Sequence, residues 1–281
     1  MRLFLLILVT MIAFAANSVL TRMGLAEGRI GPAAFSAIRL ASAALALSLL
    51  VISRGRKLPL ATPGRWRGVL ALAVYVLGFS FAYVWLSAGV GALILFGAVQ
   101  ITMSSAALRA GEQMPPQRLI GAAVAFAGLV WLMWPAGHAT PDLAGSFLMA
   151  AAGIAWGAYS ILGRGASEPE ADTAANFLLA TPFGLAALPL AVGAPLTPTG
   201  VGLALASGVV TSGLGYVLWY HVLPQLRAST AAIAQLGVPI LATAGGVALL
   251  GEALSWRFVT ATVLVLGGIA LSLRRPRRLR D

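Results

Sequence analysis

The sequence predicts an all-α polytopic membrane protein in which ten transmembrane helices form two inverted five-helix repeats around a central cavity. Three observations support this prediction: a composition poor in charge, a regular series of long apolar stretches, and an internal repeat. Of the 281 residues, 59% are hydrophobic and 10% are charged, whereas soluble domains typically have about 25% charged residues. Because so few residues are charged, a globule of this size would lack the polar surface that water requires. Lipid is therefore the expected solvent.

Apolar stretches long enough to cross a bilayer recur along the whole chain. A transmembrane helix needs about 20 mainly apolar residues, and turn residues or charges separate one helix from the next. The first stretch is longer than the apolar core of a typical signal peptide and lacks a convincing cleavage pattern, so we interpret it as a span. The expected spans are residues 3–22, 31–52, 67–87, 90–109, 117–135, 143–163, 173–193, 199–221, 228–250 and 256–274.

The distribution of Lys and Arg predicts the orientation of these spans. With the N-terminus inside, fifteen of the 19 basic residues fall in inner segments, three fall in outer segments, and Arg39 lies within a span. Cytoplasmic connections carry such an excess, so both termini are expected in the cytoplasm, with the spans in a bacterial inner membrane. The basic runs flank apolar stretches and are expected to face the lipid bilayer. No basic groove with interleaved aromatics indicates nucleic-acid binding.

Two segments of the first half recur in the second half. Four residues around Ser18 and Arg22 are repeated 142 positions later around Ser160 and Arg164. Gly111-Glu112 precedes the fifth span as Gly251-Glu252 precedes the tenth. We therefore expect one repeat over residues 1–137 and a second over residues 138–281. Because each contains an odd number of spans, the second repeat must be inverted, an arrangement that places a binding site near the midplane in many transporters.

These matched segments resemble the EamA-type branch of the drug/metabolite transporter superfamily. The resemblance rests on the two Gly-Glu pairs, on Trp156-x-x-Tyr159-Ser160, and on Pro32, Phe35 and Arg39 at the start of the second span, and it covers about residues 3–274. Within that family the chain is most similar to bacterial exporters of aromatic amino acids and related metabolites. The resemblance implies ten helices, a cavity between the halves and alternating access. Val99 and Phe14 stand where the second half has Pro239 and Trp156, which makes the two sides of that cavity chemically unequal.

Polar side chains within spans are the first candidates for a substrate site, because such groups are costly in lipid and usually face a cavity or the helix-bundle interior. The alternative for each amide is a hydrogen bond that joins two helices. Pro239 is expected to break the helical ladder of the ninth span and, with Gly153 and Gly157 in the sixth span, to serve gating. The polar candidates for substrate binding are Asn17, Gln100, Ser104 and Gln235.

Aromatic residues and one arginine complete the candidate site. Tyr83, Trp156, Tyr159 and Tyr216 are expected to stack on a planar substrate, with core packing as the alternative. Tyr83 and Trp156 are expected well inside their spans. Tyr220 is interpreted as a residue of the interfacial aromatic belt. Arg39 has three open interpretations: it extends to the interface, pairs with a helix C-terminus, or binds a carboxylate-bearing solute.

The residues that are missing restrict the function. No Asp or Glu lies in the middle of a span, cysteine is absent, and His138 and His221 form no metal motif. We therefore expect no metal, no cofactor and no enzymatic activity, and proton coupling and facilitated export remain equally open. The expected function is export of neutral, aromatic or hydrophobic amino acids and related metabolites by a monomer. Export of other metabolites or drugs is the alternative, and a channel is disfavoured because no filter-like segment is present.

Overall fold

The computed structural model describes residues 2–109, 116–133, 141–164, 166–191, 193–226, 231, 234–235 and 237–272. Four of its helices begin at a proline, the residue best suited to the first helical position because its missing N–H would have no partner there. Thr197 and Asp142 cap the helices that follow them by accepting from the backbone N–H groups of Gly200 and Gly145. The helices of the described residues are α1 (Arg2–Ala26), α2 (Pro32–Ser53), α3 (Arg65–Ala82), α4 (Ala88–Arg109), α5 (Pro116–Met133), α6 (Leu143–Gly163), α7 (Pro169–Ala186), α8 (Pro198–Gln225), α9 (Gly237–Leu250) and α10 (Trp256–Ser272).

The fold is that of an all-α polytopic membrane protein, as the composition predicts. Large apolar side chains such as Phe4, Leu45 and Phe147 are exposed on the outside of the helices, where lipid is their natural solvent. Among the described residues, six helices are both long and apolar enough to cross a membrane: α1, α2, α3, α4, α6 and α8. The number of ten spans stays a prediction.

The main contacts between helices are symmetric: each contact recurs when every helix is replaced by its counterpart in the other half. Helix α2 packs on α7, α4 on α9, and α5 on α10. Helices α3 and α4 pack on α6, and their counterparts α8 and α9 pack on α1. The predicted boundary at residue 137 lies outside the described residues, so the position of that boundary stays a prediction.

One hydrogen bond recurs in both halves at the spacing of the sequence repeat. Arg22 donates through Nη1 to the carbonyl oxygen of Val84 at 3.0 Å. Arg164 donates through Nη2 to the carbonyl oxygen of Leu226 at 2.7 Å. The two arginines are 142 positions apart, and so are the two residues that accept their hydrogen bonds. The repeated arginines therefore hold the C-terminal ends of α3 and α8 in the same way.

Two helix ends differ from the sequence prediction. Helix α1 extends to Ala26, four residues beyond the expected end of the first span at residue 22. Helix α3 ends at Ala82, so Tyr83 is at the end of a helix and not well inside one. The periodicity of apolar residues did not reveal this end because the connection after α3 is itself apolar, and Tyr83 and Leu86 are both buried.

Helix α8 contains a π-helical segment over Ser207–Leu214. Such wider helical turns are rare in proteins, and many of those that occur are found at functional sites. Gly208 lies at the start of the segment, and a Cβ there would lie 3.1 Å from the Cα of Arg39 and would clash with the side chain of Ser42. The absence of a side chain at this position lets α8 approach α2 closely.

Acidic residues of α7 pair with basic residues at the ends of α2 and α3. Arg54 and Arg56 contact Glu170, and Arg65 contacts Asp172. The basic run of the second connection therefore has protein partners in addition to its expected contact with lipid. Arg65 also donates to Asn176 Oδ1 at 2.9 Å, which ties the start of α3 to the first half of α7.

Candidate functional site

Trp156 of α6 lies at the centre of an aromatic cluster contributed by both halves of the chain. Its ring centroid lies 4.6 Å from that of Tyr216, 5.0 Å from that of Tyr75 and 5.4 Å from that of Phe14. Tyr159 is 5.9 Å from the same ring. Trp156, Tyr159 and Tyr216 are each at most 2% exposed, and their role in stacking on a substrate stays a prediction.

The indole of Trp156 also forms a hydrogen bond with the side-chain amide of Gln235, another predicted site residue. Trp156 Nε1 donates to Gln235 Oε1 at 3.1 Å, and Gln235 Nε2 approaches the sulfur of Met103 in α4 at 3.8 Å. Gln235 thus contacts side chains of two other helices from a buried position. Pro239 is buried near the start of α9, but residue 236 lies outside the described residues and the expected break in the helical ladder stays a prediction.

Asn17 of α1 forms a polar network with the π-helical segment of α8. Its Oδ1 accepts from the hydroxyls of Ser207 at 2.6 Å and Thr211 at 3.0 Å. Its Nδ2 donates to the hydroxyl of Tyr75 at 3.4 Å. The structure therefore brings one predicted site residue together with Tyr75 and with two hydroxyl residues of α8 that the sequence prediction did not include.

We expect Asn17→Leu to lower the stability of the protein by about 1–3 kcal/mol. The buried hydroxyl of Ser207 would lose its acceptor, and that of Thr211 would keep only the carbonyl oxygen of Ser207. The thermal midpoint of the purified protein in detergent measures this loss. The triple variant Asn17→Leu, Ser207→Ala, Thr211→Val removes all three polar groups and should recover part of the stability. A triple variant less stable than Asn17→Leu would contradict this interpretation of the network.

Arg39 of α2 is fully buried and forms three hydrogen bonds to hydroxyl groups. Its Nε donates to Ser212 Oγ at 2.8 Å, and its Nη2 donates to the hydroxyls of Tyr216 at 2.9 Å and Tyr75 at 3.1 Å. The guanidinium carbon lies 5.2 Å from the ring centroid of Tyr75 and 5.0 Å from that of Phe79. The interpretations in which Arg39 extends to the interface or binds a helix C-terminus are wrong, because its side chain points into the bundle.

Three predicted site residues lie apart from the aromatic cluster. Gln100 and Ser104 of α4 are half-buried and bind each other at 3.3 Å. Tyr83 is buried, but Phe79 separates it from Tyr75, and its hydroxyl donates to the carbonyl oxygen of Ala88. Among the described residues, none of the three has a ring contact or a hydrogen bond to Trp156. Their predicted role in substrate binding stays a prediction.

Tyr220 is not an exposed residue of an interfacial belt. It is 3% exposed, its hydroxyl donates to the carbonyl oxygen of Tyr159 at 3.1 Å, and its ring packs edge-on against that of Tyr159. A tyrosine near a span end is indistinguishable in sequence from a belt residue. Only the packing of α8 on α6 reveals that it faces protein.

Gly153 and Gly157 form the face of α6 that contacts α4. A Cβ at Gly153 would clash with the carbonyl oxygen of Leu95 and lie 2.7 Å from Ala98 Cβ. A Cβ at Gly157 would lie 2.9 Å from Thr102 Cβ. The two helices therefore approach each other closely at this pair of glycines, and the predicted role of the pair in gating stays a prediction.

The sequence prediction missed Ser207, Thr211 and Ser212 as members of the polar cluster. The three hydroxyl residues of α8 are small and common in apolar helices, where they usually bind the backbone of their own helix. Their irregular spacing of four and one positions does not mark one face of an ideal α-helix. The π-helical turn changes which residues share a face, and periodicity alone cannot predict that turn.

A second polar arrangement joins four chain segments at the predicted outer ends of the helices. The carboxylate of Glu252 accepts from the backbone N–H of Ala88, with both oxygens at 2.9–3.0 Å, and thus caps α4. It also pairs with Arg22 of α1, whose Nε lies 3.4 Å away. Arg22 Nη1 in turn donates to the carbonyl oxygens of Tyr83 and Val84. We call these contacts the Arg22–Glu252 latch.

A small cavity of about 130 Å³ lies beside the latch. Its lining includes Ser87, Val90, Thr243, Glu252 and Phe258. This cavity is separate from the cluster around Trp156, whose side chains pack directly on one another. A central opening between those side chains requires that they move apart.

Comparison with protein families explains the repeated packing. The model of the EamA-like transporter family matches residues 1–134 and 143–274. The chain belongs to the EamA-like transporter family. It is therefore a multi-pass membrane protein of a transporter family within the drug/metabolite superfamily, as the matched segments of the sequence suggested.

Several relatives of this EamA-like transporter cover nearly its whole length. An uncharacterized protein of Pseudomonas aeruginosa is 49% identical over 97% of this chain and 94% of its own. An uncharacterized transporter of Bacillus subtilis is 26% identical over 95% of this chain and 92% of its own. One solved crystal structure has a TM-score of 0.67 at 21% identity, and the match covers 94% of this chain and 97% of that chain. This last similarity shows the fold alone.

Proposed function

We propose that this EamA-like transporter is a monomeric secondary transporter of the bacterial inner membrane. It exports neutral, aromatic or hydrophobic amino acids and related metabolites by alternating access, with both termini in the cytoplasm. The observation that carries this proposal is the cluster around Trp156, in which rings from α1, α3, α6 and α8 meet amide and hydroxyl groups. Both halves contribute to it, so a relative movement of the halves would open it.

The chemistry of the cluster favours a substrate that is flat and apolar on one side and polar on the other. Aromatic rings attract planar apolar groups through stacked and edge-on contacts. Asn17 and Gln235 supply amides that bind polar groups of a solute and become accessible when the rings separate. An aromatic amino acid has both features in one small molecule.

We expect liposomes that contain the purified protein to take up radiolabelled phenylalanine or tryptophan. Trp156→Ala should reduce uptake at least roughly tenfold, because each ring contact is worth about 0.5–1.5 kcal/mol and several would be lost. Trp66→Ala is the matched control, since Trp66 is 57% exposed on the outside of α3 and should leave uptake unchanged.

The same liposomes separate the alternatives. Uptake that equals empty liposomes across a broad panel of neutral metabolites and drugs would refute the proposal. Transport of other members of that panel, without amino acids, would favour a different exporter specificity. Runs with and without a pH gradient distinguish proton coupling from facilitated export, and a conductance recording tests for a channel.

A further inference from the structure

The guanidinium of Arg39 has no acidic partner among the described residues. Each ion pair among the described residues involves an arginine other than Arg39. The partners of Arg39 are three neutral hydroxyls and two aromatic rings. A positive charge buried in an apolar bundle is costly unless an opposite charge accompanies it. The described residues therefore supply no negative charge to neutralise the guanidinium of Arg39.

One nitrogen of the same group is buried without a hydrogen-bond partner. Arg39 Nη1 has no acceptor in the described structure, although the side chain is fully buried. Buried polar groups are nearly always paired, and an unpaired one needs an explanation. An unpartnered N–H of a charged group indicates a place where an acceptor binds.

The groups around Arg39 are rich in donors and poor in acceptors. The hydroxyl oxygens of Ser212, Tyr75 and Tyr216 each accept an N–H from Arg39. Tyr75 also accepts from Asn17, and its hydroxyl forms a side-chain hydrogen bond with that of Tyr216. One hydroxyl hydrogen of this pair and that of Ser212 therefore remain to be donated. The indole Nε1 of Trp219, in the same aromatic cluster as Phe14, is a second buried donor without a partner. A ligand that complements this set must accept hydrogen bonds.

We propose that Arg39, with Tyr75, Tyr216 and Ser212, forms the binding site for a single carboxylate of the transported solute. A carboxylate accepts up to about four hydrogen bonds and donates none, and its one negative charge matches the one guanidinium. Guanidinium N–H groups form strong charge-assisted hydrogen bonds to carboxylates, and Nη1 is the nitrogen of Arg39 that is left to donate them. A phosphate dianion would need a second cation, and Arg39 is the one basic residue that the sequence places within a span.

The carboxylate site at Arg39 lies next to the aromatic cluster around Trp156, and this position indicates which carboxylates the site accepts. Tyr75 and Tyr216 contact both Arg39 and Trp156. A carboxylate at Arg39 thus places the rest of the molecule against the aromatic cluster. This inference rests on the proposed function and narrows it to aromatic or hydrophobic monocarboxylates, with or without an amino group. Aromatic amines and amides are excluded as good substrates.

The test compares probes that differ in the carboxylate alone. We expect 3-phenylpropionate and phenylalanine to raise the thermal midpoint of the detergent-purified protein. The uncharged isostere 3-phenylpropanamide and the amine phenethylamine should not raise it. In Arg39→Gln the shift by both carboxylates should disappear, and in Arg39→Lys their apparent affinity should fall at least about tenfold, because Lys retains the charge and loses the planar fork.

A structural role for Arg39 predicts a different pattern. Both variants would then lower the midpoint without ligand, while the wild-type protein would not distinguish the carboxylate from its amide. Equal stabilisation of the wild type by 3-phenylpropionate and 3-phenylpropanamide overturns the inference, and this comparison uses the wild-type protein alone. Ser212→Ala, which keeps the guanidinium, should weaken carboxylate binding by a smaller factor.

Transport measurements separate this inference from the proposed function. If liposomes transport the amide as well as the acid, the carboxylate site is refuted and the transporter assignment stands. If the carboxylates stabilise the protein through Arg39 but no solute of the panel is transported, the proposed export is refuted and the binding site stands.

Discussion

Replacement of Glu252 by Gln is expected to open the predicted outer end of the helix bundle. The carboxylate caps α4 through the N–H of Ala88 and pairs with Arg22, and both side chains are at most 20% exposed. A negative charge at a helix N-terminus is stabilised by the unpaired N–H groups there. Gln keeps the shape of the side chain and removes the charge, so α1, α4 and the α9–α10 connection should separate more easily.

The absence of cysteine from the sequence permits a direct measurement. Val19 is 5% exposed, lies about one helical turn before Arg22, and is close to Gly245 of α9. A Val19→Cys variant should react slowly with a membrane-impermeant maleimide. If the latch contributes about 1–3 kcal/mol to closure, Glu252→Gln should accelerate that reaction by roughly 5- to 150-fold.

The matched control is Glu27→Gln at the same predicted end of the bundle. Glu27 also pairs with an arginine, but its side chain is 53% exposed and it caps no helix. Its replacement should leave the labelling rate unchanged. Arg22→Gln should reproduce the effect of Glu252→Gln, and the double variant should add little, because each substitution removes the same contact. Unchanged labelling of Val19→Cys in Glu252→Gln would show that the latch does not control access.

Replacement of Gly153 by Leu is expected to prevent the packing of α6 on α4. Because a Cβ at this position already meets the backbone of Leu95, no rotamer of a larger side chain relieves the clash without moving a helix. Overpacking of a well-filled interior typically costs about 1–3 kcal/mol, and a clash with backbone costs more because backbone yields less than side chains. The yield of monodisperse protein and its thermal midpoint should both fall sharply.

Gly202→Leu in α8 is the control for this substitution. A Cβ at Gly202 meets nothing within 4 Å, so the larger side chain extends outward from the bundle. Replacing a glycine within a helix typically adds about 1 kcal/mol of helix propensity, so the control should be neutral or slightly more stable. Gly153→Ala should fall between the two leucine variants. A wild-type midpoint for Gly153→Leu would contradict the close α4–α6 contact.

The Arg22–Glu252 latch could be predicted only in part from the sequence. The repeat identified both residues as members of matched segments, because each has a counterpart in the other half. It did not indicate that they contact each other across 230 positions or that the carboxylate caps α4. The matching Glu112 lies outside the described residues.

The sequence by itself determined the membrane class, the repeat and the family. These follow from local composition and from self-similarity, since a lipid solvent requires apolar helices of a fixed length whatever their arrangement. Trp156, Asn17, Tyr216, Gln235 and Arg39 were also identified from the sequence, because bulky or polar side chains within a span are costly there unless the bundle interior receives them.

The tertiary structure decided which of these side chains meet and which lie apart. Tyr83 and Gln100 carry the same chemistry as members of the cluster, but the end of α3 and the register of α4 place them elsewhere. The π-helical turn of α8 brings Ser207, Thr211 and Ser212 to Asn17 and Arg39. Such a turn depends on what packs against the helix, and so the partners of Arg39 depend on contacts between distant segments and not on local sequence.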